Sequence, residues 1–305
     1  MIAANDNDLR VIRYAKGYGF SAQQWRSALA RMDDRVPFSD GGAEPLKHGA
    51  AGSVWRTRLT LGAASTARTI NCVIKVERLG TFWKHAKAVA GATKAQKQWR
   101  GAEALARIKV KAAEPLAILR SNKHELLVLR HVEAPTALEH LRDVLGDPRA
   151  ERSLARLIAR HHAVLWRNRA SNRDAKPSNL LVVPGDAGPS ITVLDTVAIR
   201  PPKRSSKPPA AAQRTPARHD VRALLDLYFE PAGCGLPLRR TLLLRALRAF
   251  AEVPDHRGAS VTDDREAWQT ASRLIWDELA REIKRHGDPT PADNPLERPA
   301  VPLRP

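Results

Sequence analysis

The sequence predicts an α+β fold of two unequal lobes, a small β-rich lobe with one long helix followed by a larger, mainly helical lobe. Three observations predict it. From Gly41 to about Arg78, β-branched and apolar runs alternate with glycine-bearing breaks. From about Trp83 to Ile108, apolar residues recur at helical spacing. After Pro135 the chain turns helical. Strands and one helix first, helices afterwards, is the pattern of segregated α+β packing. The expected organisation is an N-terminal extension over 1–40, a β-rich lobe over 41–133, a helical lobe over 134–283 and a proline-rich tail over 284–305.

In chain order, Ser21-Ala-Gln-Gln-Trp25 caps and begins a short helix reaching about Met32. Ser53–Leu61 and Ile70–Val76 read as two strands, joined across the small, polar connection Gly62–Thr69 as a hairpin. The helical stretch 83–108 is expected to break near Gly91, with Trp99, Ala102, Leu105 and Ala106 on one face. Leu116–Arg120 and Glu125–Arg130 are two further strands. Leu154, Leu157, Ile158, His161 and Leu165 form one apolar stripe, and Val221, Leu224, Leu225 and Tyr228 another. Leu242–Phe250 and Trp268–Leu279 complete the helices. Arg200–Arg218 carries six basic residues, five prolines and no acid, a composition that does not pack a core.

The 305 residues suffice for a sizeable core, and the 43% hydrophobic and 27% charged content is ordinary for a soluble globular chain. The charge balance is not ordinary. Fifty-one Lys and Arg against 32 Asp and Glu give a net charge of +19, with an isoelectric point near 10.7. Such a field attracts anions, whether nucleic acid, an acidic membrane face or phosphorylated sugars; an Arg- and Ala-rich bacterial composition produces the same sign. Cys72 and Cys234 stand far apart, which implies neither a disulfide framework nor a zinc site. The start MIAANDNDLR lacks the basic and apolar regions of a signal peptide, and no uncharged run approaches a membrane span. The expected location is cytoplasmic, with peripheral contact at an anionic inner membrane.

The chemistry concentrates in Asn172-Arg-Asp-Ala-Lys-Pro-Ser-Asn-Leu-Leu-Val182. Asn179 follows Asp174 by five positions, with Lys176 between them, directly before an apolar strand. In a kinase catalytic loop this spacing lets the Asp meet the acceptor hydroxyl, the Lys neutralise the transferring phosphoryl group and the Asn carbonyl reach magnesium. Ile191-Thr-Val-Leu-Asp195 is a second apolar strand, ending in a carboxylate after a turn over Pro184–Pro189. Strand, turn and strand would return Asp195 beside Asn179, and oxygen ligands of this kind suit magnesium. Upstream, Lys75 lies in the apolar strand Val73-Ile-Lys75, a costly place for a cation without an anionic partner. Phosphate oxygens would serve, with a carboxylate from the next helix. Glu103 is the first choice, the only acid between Trp83 and Ala113; a shifted register offers Gln98. About twenty residues earlier, Lys47-His-Gly-Ala-Ala-Gly-Ser-Val54 places Gly49 and Gly52, followed by Val54, in a tight strand-to-strand turn suited to cover phosphates.

These residues resemble the protein-kinase-like superfamily and, within it, the bacterial lipopolysaccharide kinases that phosphorylate Kdo or heptose of the inner core. The resemblance covers about Lys47 to Phe250. The narrower likeness rests on Lys94–Leu105, Val110–Leu116 and Arg218-His-Asp220 opening a Leu-rich helix. It implies a bilobal protein-kinase-like fold, with Asp174 as catalytic base, Lys176 as the phosphate-facing cation, Asn179 and Asp195 as metal ligands and Lys75 on the α- and β-phosphates. Asp220 resembles the helix acid that braces the catalytic loop. The chain departs from the pattern at four points. Asn172 replaces the usual His, Asp195-Thr-Val197 replaces Asp-Phe-Gly, Lys47 occupies the first loop glycine, and the helix Glu is shared between Glu103 and Gln98.

The implied function is ATP- and Mg2+-dependent phosphotransfer to a hydroxyl of a sugar or glycolipid. The alternatives are a pseudokinase or a protein Ser/Thr kinase-like binding module. Nucleic-acid binding is disfavoured: no zinc-finger, basic-zipper or aromatic RNA-binding signature is present, and aromatic residues make up only 5% of the chain.

Overall fold

Period-two burial builds the first half of the protein. In β3 (Gly52–Leu61), Trp55, Thr57, Leu59 and Leu61 turn inward while Arg56, Arg58 and Thr60 face out. The computed structural model describes residues 9–29, 42–62, 67–168, 170–200, 218–236, 240–253 and 265–286. Within these the chain is α+β and divides into two units, one of residues 1–102 and 113–132, the other of residues 103–112 and 133–305.

The first unit is a six-stranded antiparallel sheet in the order β1-β6-β7-β4-β3-β2. Its strands are β1 (Arg10–Tyr14), β2 (Glu44–Gly49), β3, β4 (Arg68–Arg78), β6 (Pro115–Arg120) and β7 (His124–Arg130). α1 (Ala22–Leu29) covers one face: Phe20, Trp25 and Leu29 pack with Leu59, Leu61, Cys72, Ile74, Leu116 and Leu126. Ala95 and Trp99 of α3 (Lys94–Arg107) pack with Ile118, Leu127 and Leu129 in a second cluster. Burial of both faces explains why β6 and β7 read as continuous apolar runs. Residues 10–29, set apart from the lobe in the sequence reading, here supply an edge strand on β6 and a helix whose Trp25 and Leu29 are fully buried.

Gly91, with φ 67°, separates α2 (Phe82–Val89) from α3, a left-handed conformation that glycine adopts without penalty. Burial pushes the Cys72 thiol up to about 12, so this cysteine is inert packing.

The second unit is mainly helical. α4 (Ala137–Val144) opens on a capping box between Thr136 and Glu139. α5 (Pro148–Arg167) starts with Asp147 as N-cap and a proline in its first turn, two strong initiators. α6 (Arg218–Gly233), α7 (Arg240–Glu252) and α8 (Arg265–His286) follow. Three strands form a small sheet in the order β5-β10-β9: β5 (Lys111–Ala112), β9 (Leu180–Val183) and β10 (Ser190–Val193), with β5 parallel to β10. β8 (Ser171–Asn172) pairs with β11 (Ile199–Arg200). Of the second predicted stripe, Leu225 is buried, whereas the side chains of Val221, Leu224 and Tyr228 lie outside the described set, as do residues 201–217 and the tail beyond His286. Among the described residues no helix is long and apolar enough to cross a membrane.

His161 and His162 on α5 are both buried, their rings 5.5 Å apart in a T-shaped arrangement. Burial lowers their pKa values to about 4 and about 3, so both are neutral in the folded protein. The unfolded imidazoles take up protons near pH 6.5 and the folded ones do not. Stability from these groups is therefore complete above about pH 6.5 and is lost as pH falls from there toward the folded values. Chemical denaturation at pH 7 and pH 5 is expected to differ by about 2 kcal/mol per imidazole. His162→Gln should reduce that difference; a wild-type stability flat over the same window would show that the pair titrates normally.

Candidate functional site

The β9–β10 hairpin brings the two ends of the chemical motif together. Leu180 pairs with Val193 and Val183 with Ser190. The Leu194 N–H donates to the Asn179 carbonyl at 2.9 Å, extending the ladder by one position. Asn179 thus lies opposite Leu194, and Asp195 follows immediately. The connecting turn closes between Gly185 and Gly188, the latter at φ 102°.

Ahead of the hairpin, Pro177–Asn179 forms a single 3-10 turn that aims Asn179 back at Asp174. The Asn179 amide nitrogen donates to the Asp174 carboxylate at 2.9 Å and to the Asp174 main-chain carbonyl at 3.1 Å. This engagement fixes the amide plane and turns its oxygen to the opposite side, as the hydrogen-bond network assigns it. Lys176 Nζ stands 3.5 Å from Asp174 Oδ1, and both side chains are partly open to solvent. Buried Asn172 accepts from the Asp174 N–H at 3.1 Å, a local Asx bond that sets the loop's first turn. The β8–β11 pair places the residues before Asp174 against those after Asp195. Asp195 Oδ1 accepts from the Val197 N–H at 2.9 Å, so a side-chain turn follows directly on Asp195.

Glu230 is a further member that the sequence reading did not identify. It accepts from Ser178 N–H at 2.9 Å and from Ser178 Oγ at 2.5 Å, tying α6 to the loop between Lys176 and Asn179. Burial pushes its pKa up, and the two Ser178 bonds oppose that shift. The one sequence signal was an acid directly before Pro231, inside the helix. Asp220 lies on the same helix, with its side chain outside the described set.

In the first unit, Lys75 pairs with Val54 on one side and Leu127 on the other. Residues directly opposite in an antiparallel ladder share a face, so Val54 lies beside Lys75. Lys75 Nζ donates to Gln98 Oε1 at 2.9 Å, with Gln98 itself buried. Gln98 is the residue that the shifted register offers; Glu103, five positions further along α3, is half-buried and belongs to the second unit. Gly49 and Gly52 bracket the two-residue turn Ala50-Ala51 between β2 and β3. Gly52 has φ 158°, and a Cβ there would sit 2.1 Å from the Val76 carbonyl oxygen. That glycine is demanded by close approach of β4, whereas at Gly49 a Cβ would meet only ordinary contact at 3.8 Å.

Among the described residues no group of three or more His, Cys, Asp or Glu side chains is placed to hold a metal ion. The oxygen donors Asn179 and Asp195 suit a cation that takes only one or two protein ligands and completes its shell with water and phosphate, as magnesium does. No family model matches the chain, and no curated protein matches it.

Proposed function

We propose that this chain has a protein-kinase-like bilobal fold and is an ATP-dependent phosphotransferase acting on a hydroxyl of a sugar or glycolipid. The observation that carries the reading is the Asp174–Asn179 hydrogen bond at 2.9 Å, with Asp195 one residue beyond the ladder partner of Asn179. Asp174 accepts the proton of the acceptor hydroxyl as that oxygen attacks the terminal phosphorus and the bond from that phosphorus to the bridging oxygen breaks, releasing ADP. Lys176, beside it, offsets negative charge on the transferring group. Asn179 and Asp195 are the oxygen donors that would hold magnesium, which, with ATP bound, supplies charge neutralisation between the phosphates. Lys75 is assigned to the α- and β-phosphates, and Gly49 and the following turn to covering them. The net charge of +19 favours an acidic acceptor.

Thermal unfolding with ATP alone, magnesium alone and both together tests the reading. With ligand at about a hundred times its dissociation constant the gain is about 2.7 kcal/mol, a rise of roughly 5–10 °C for a chain of this size. The expected rise requires both components. No rise at millimolar ATP and magnesium would remove the nucleotide from the proposal.

A further inference from the structure

α2 is an amphipathic helix turned inside out. Phe82, Ala86 and Val89 follow the i, i+4, i+7 spacing that ordinarily marks a buried stripe. Instead Phe82 is 79% exposed and Val89 87%, with Trp83 beside them at 73%. The one buried residue of the helix is Ala88. Phe82 and Trp83 stack edge to face, ring centroids 5.8 Å apart. The helix is firmly seated: Thr81 caps its start, Leu79 just before it is buried, and Lys84 Nζ donates to the Arg78 carbonyl at 2.7 Å. Solvent-facing aromatics on a well-anchored helix mark a contact surface.

The charge around this stripe identifies what it contacts. From Arg78 to Ala102 the chain carries six Lys or Arg and no Asp or Glu. Lys84 is partly offset by Glu77 at 3.8 Å, while Arg78, Lys87, Lys94, Lys97 and Arg100 are exposed. A second copy is a poor occupant, because a two-fold contact through α2 would bring together two stretches that each carry six cations and no acid. A bilayer surface requires no complementary patch, and it rewards aromatics flanked by cations.

We propose that α2 docks the protein on an anionic phospholipid surface, with Phe82, Trp83 and Val89 entering the boundary between headgroups and acyl chains and the flanking cations on lipid phosphates. This inference rests on α2 and its neighbours and is independent of the phosphotransfer reading.

Co-sedimentation of the full chain with phosphatidylcholine vesicles, with and without phosphatidylglycerol, tests it. The wild type is expected to pellet with the phosphatidylglycerol vesicles and to be released by added salt. The Phe82→Ser/Trp83→Ser variant should lower the partition coefficient roughly tenfold or more with an unchanged melting temperature, since both side chains are solvent-facing. Lys87→Glu/Lys97→Glu alters only exposed charge and should weaken binding likewise. Failure of the wild type to pellet, or pelleting of both variants at the wild-type level, overturns the proposal. So does light scattering that shows a dimer abolished by Phe82→Ser/Trp83→Ser without vesicle binding, which would make the occupant a second copy.

Discussion

Asp174→Ala is expected to abolish measurable phosphoryl transfer while leaving nucleotide binding near the wild-type level. In the proposed mechanism the carboxylate meets the acceptor hydroxyl and makes no contact with the nucleotide. Removing a positioned general base lowers turnover by roughly a hundred- to ten-thousandfold. The loop should survive the change: Asn179 retains its 3.1 Å bond to the main-chain carbonyl of residue 174, and Asn172 still caps that residue's N–H at 3.1 Å. Asp174→Asn keeps the side-chain shape and should be equally inactive, which separates loss of the base from loss of packing. Turnover assayed by ADP release with sugar and glycolipid acceptors, beside the ATP-and-magnesium melting shift, gives both quantities. An Asp174→Ala variant that binds no nucleotide would assign this carboxylate a different role.

Asp195→Asn should remove most of the magnesium-dependent part of nucleotide binding. The substitution keeps a side-chain oxygen to accept from the Val197 N–H, so the turn after β10 is preserved while the charge on the cation is lost. If the dissociation constant rises a hundredfold, a concentration that gave about 2.7 kcal/mol of stabilisation gives only about 0.4 kcal/mol. The melting shift should then fall nearly to the noise, with unliganded stability unchanged. A variant that keeps the full shift would show that Asp195 is not a metal ligand. The two variants also differ in kind: the first should separate turnover from binding, and the second should lose both.

Much of this site was legible because its determinants are local. Asp174, Lys176, Asn179 and Asp195 lie within a loop and one hairpin, and strand alternation sets where the second strand ends relative to the first. The positions of β3, β4, β6 and β7 were equally readable, since period-two burial and β-branched content act within each strand. Asn172 was legible as a departure from the kinase pattern but not as a cap, because its partner, the Asp174 N–H, is a backbone group with no sequence identity.

The sequence by itself determined the α+β character, the grouping of Asp174, Asn179 and Asp195 by one loop and hairpin, the break at Gly91 and the excess of positive charge. Each follows from neighbours a few residues apart, through steric limits on φ and ψ, side-chain periodicity or simple counting. The tertiary structure alone decided the rest. Glu230 reaches Ser178 across 52 positions. Gln98 meets Lys75 across 23. β1 closes the sheet edge on β6 across more than a hundred residues. Gly52 is required by the carbonyl of Val76 on the neighbouring strand. The amphipathic pattern of α2 likewise gave no indication that its apolar stripe faces outward, because a hydrophobic period fixes which residues share a face but not which way that face turns. That choice belongs to the packing of Ala88 and Leu79, the buried residues that seat the helix.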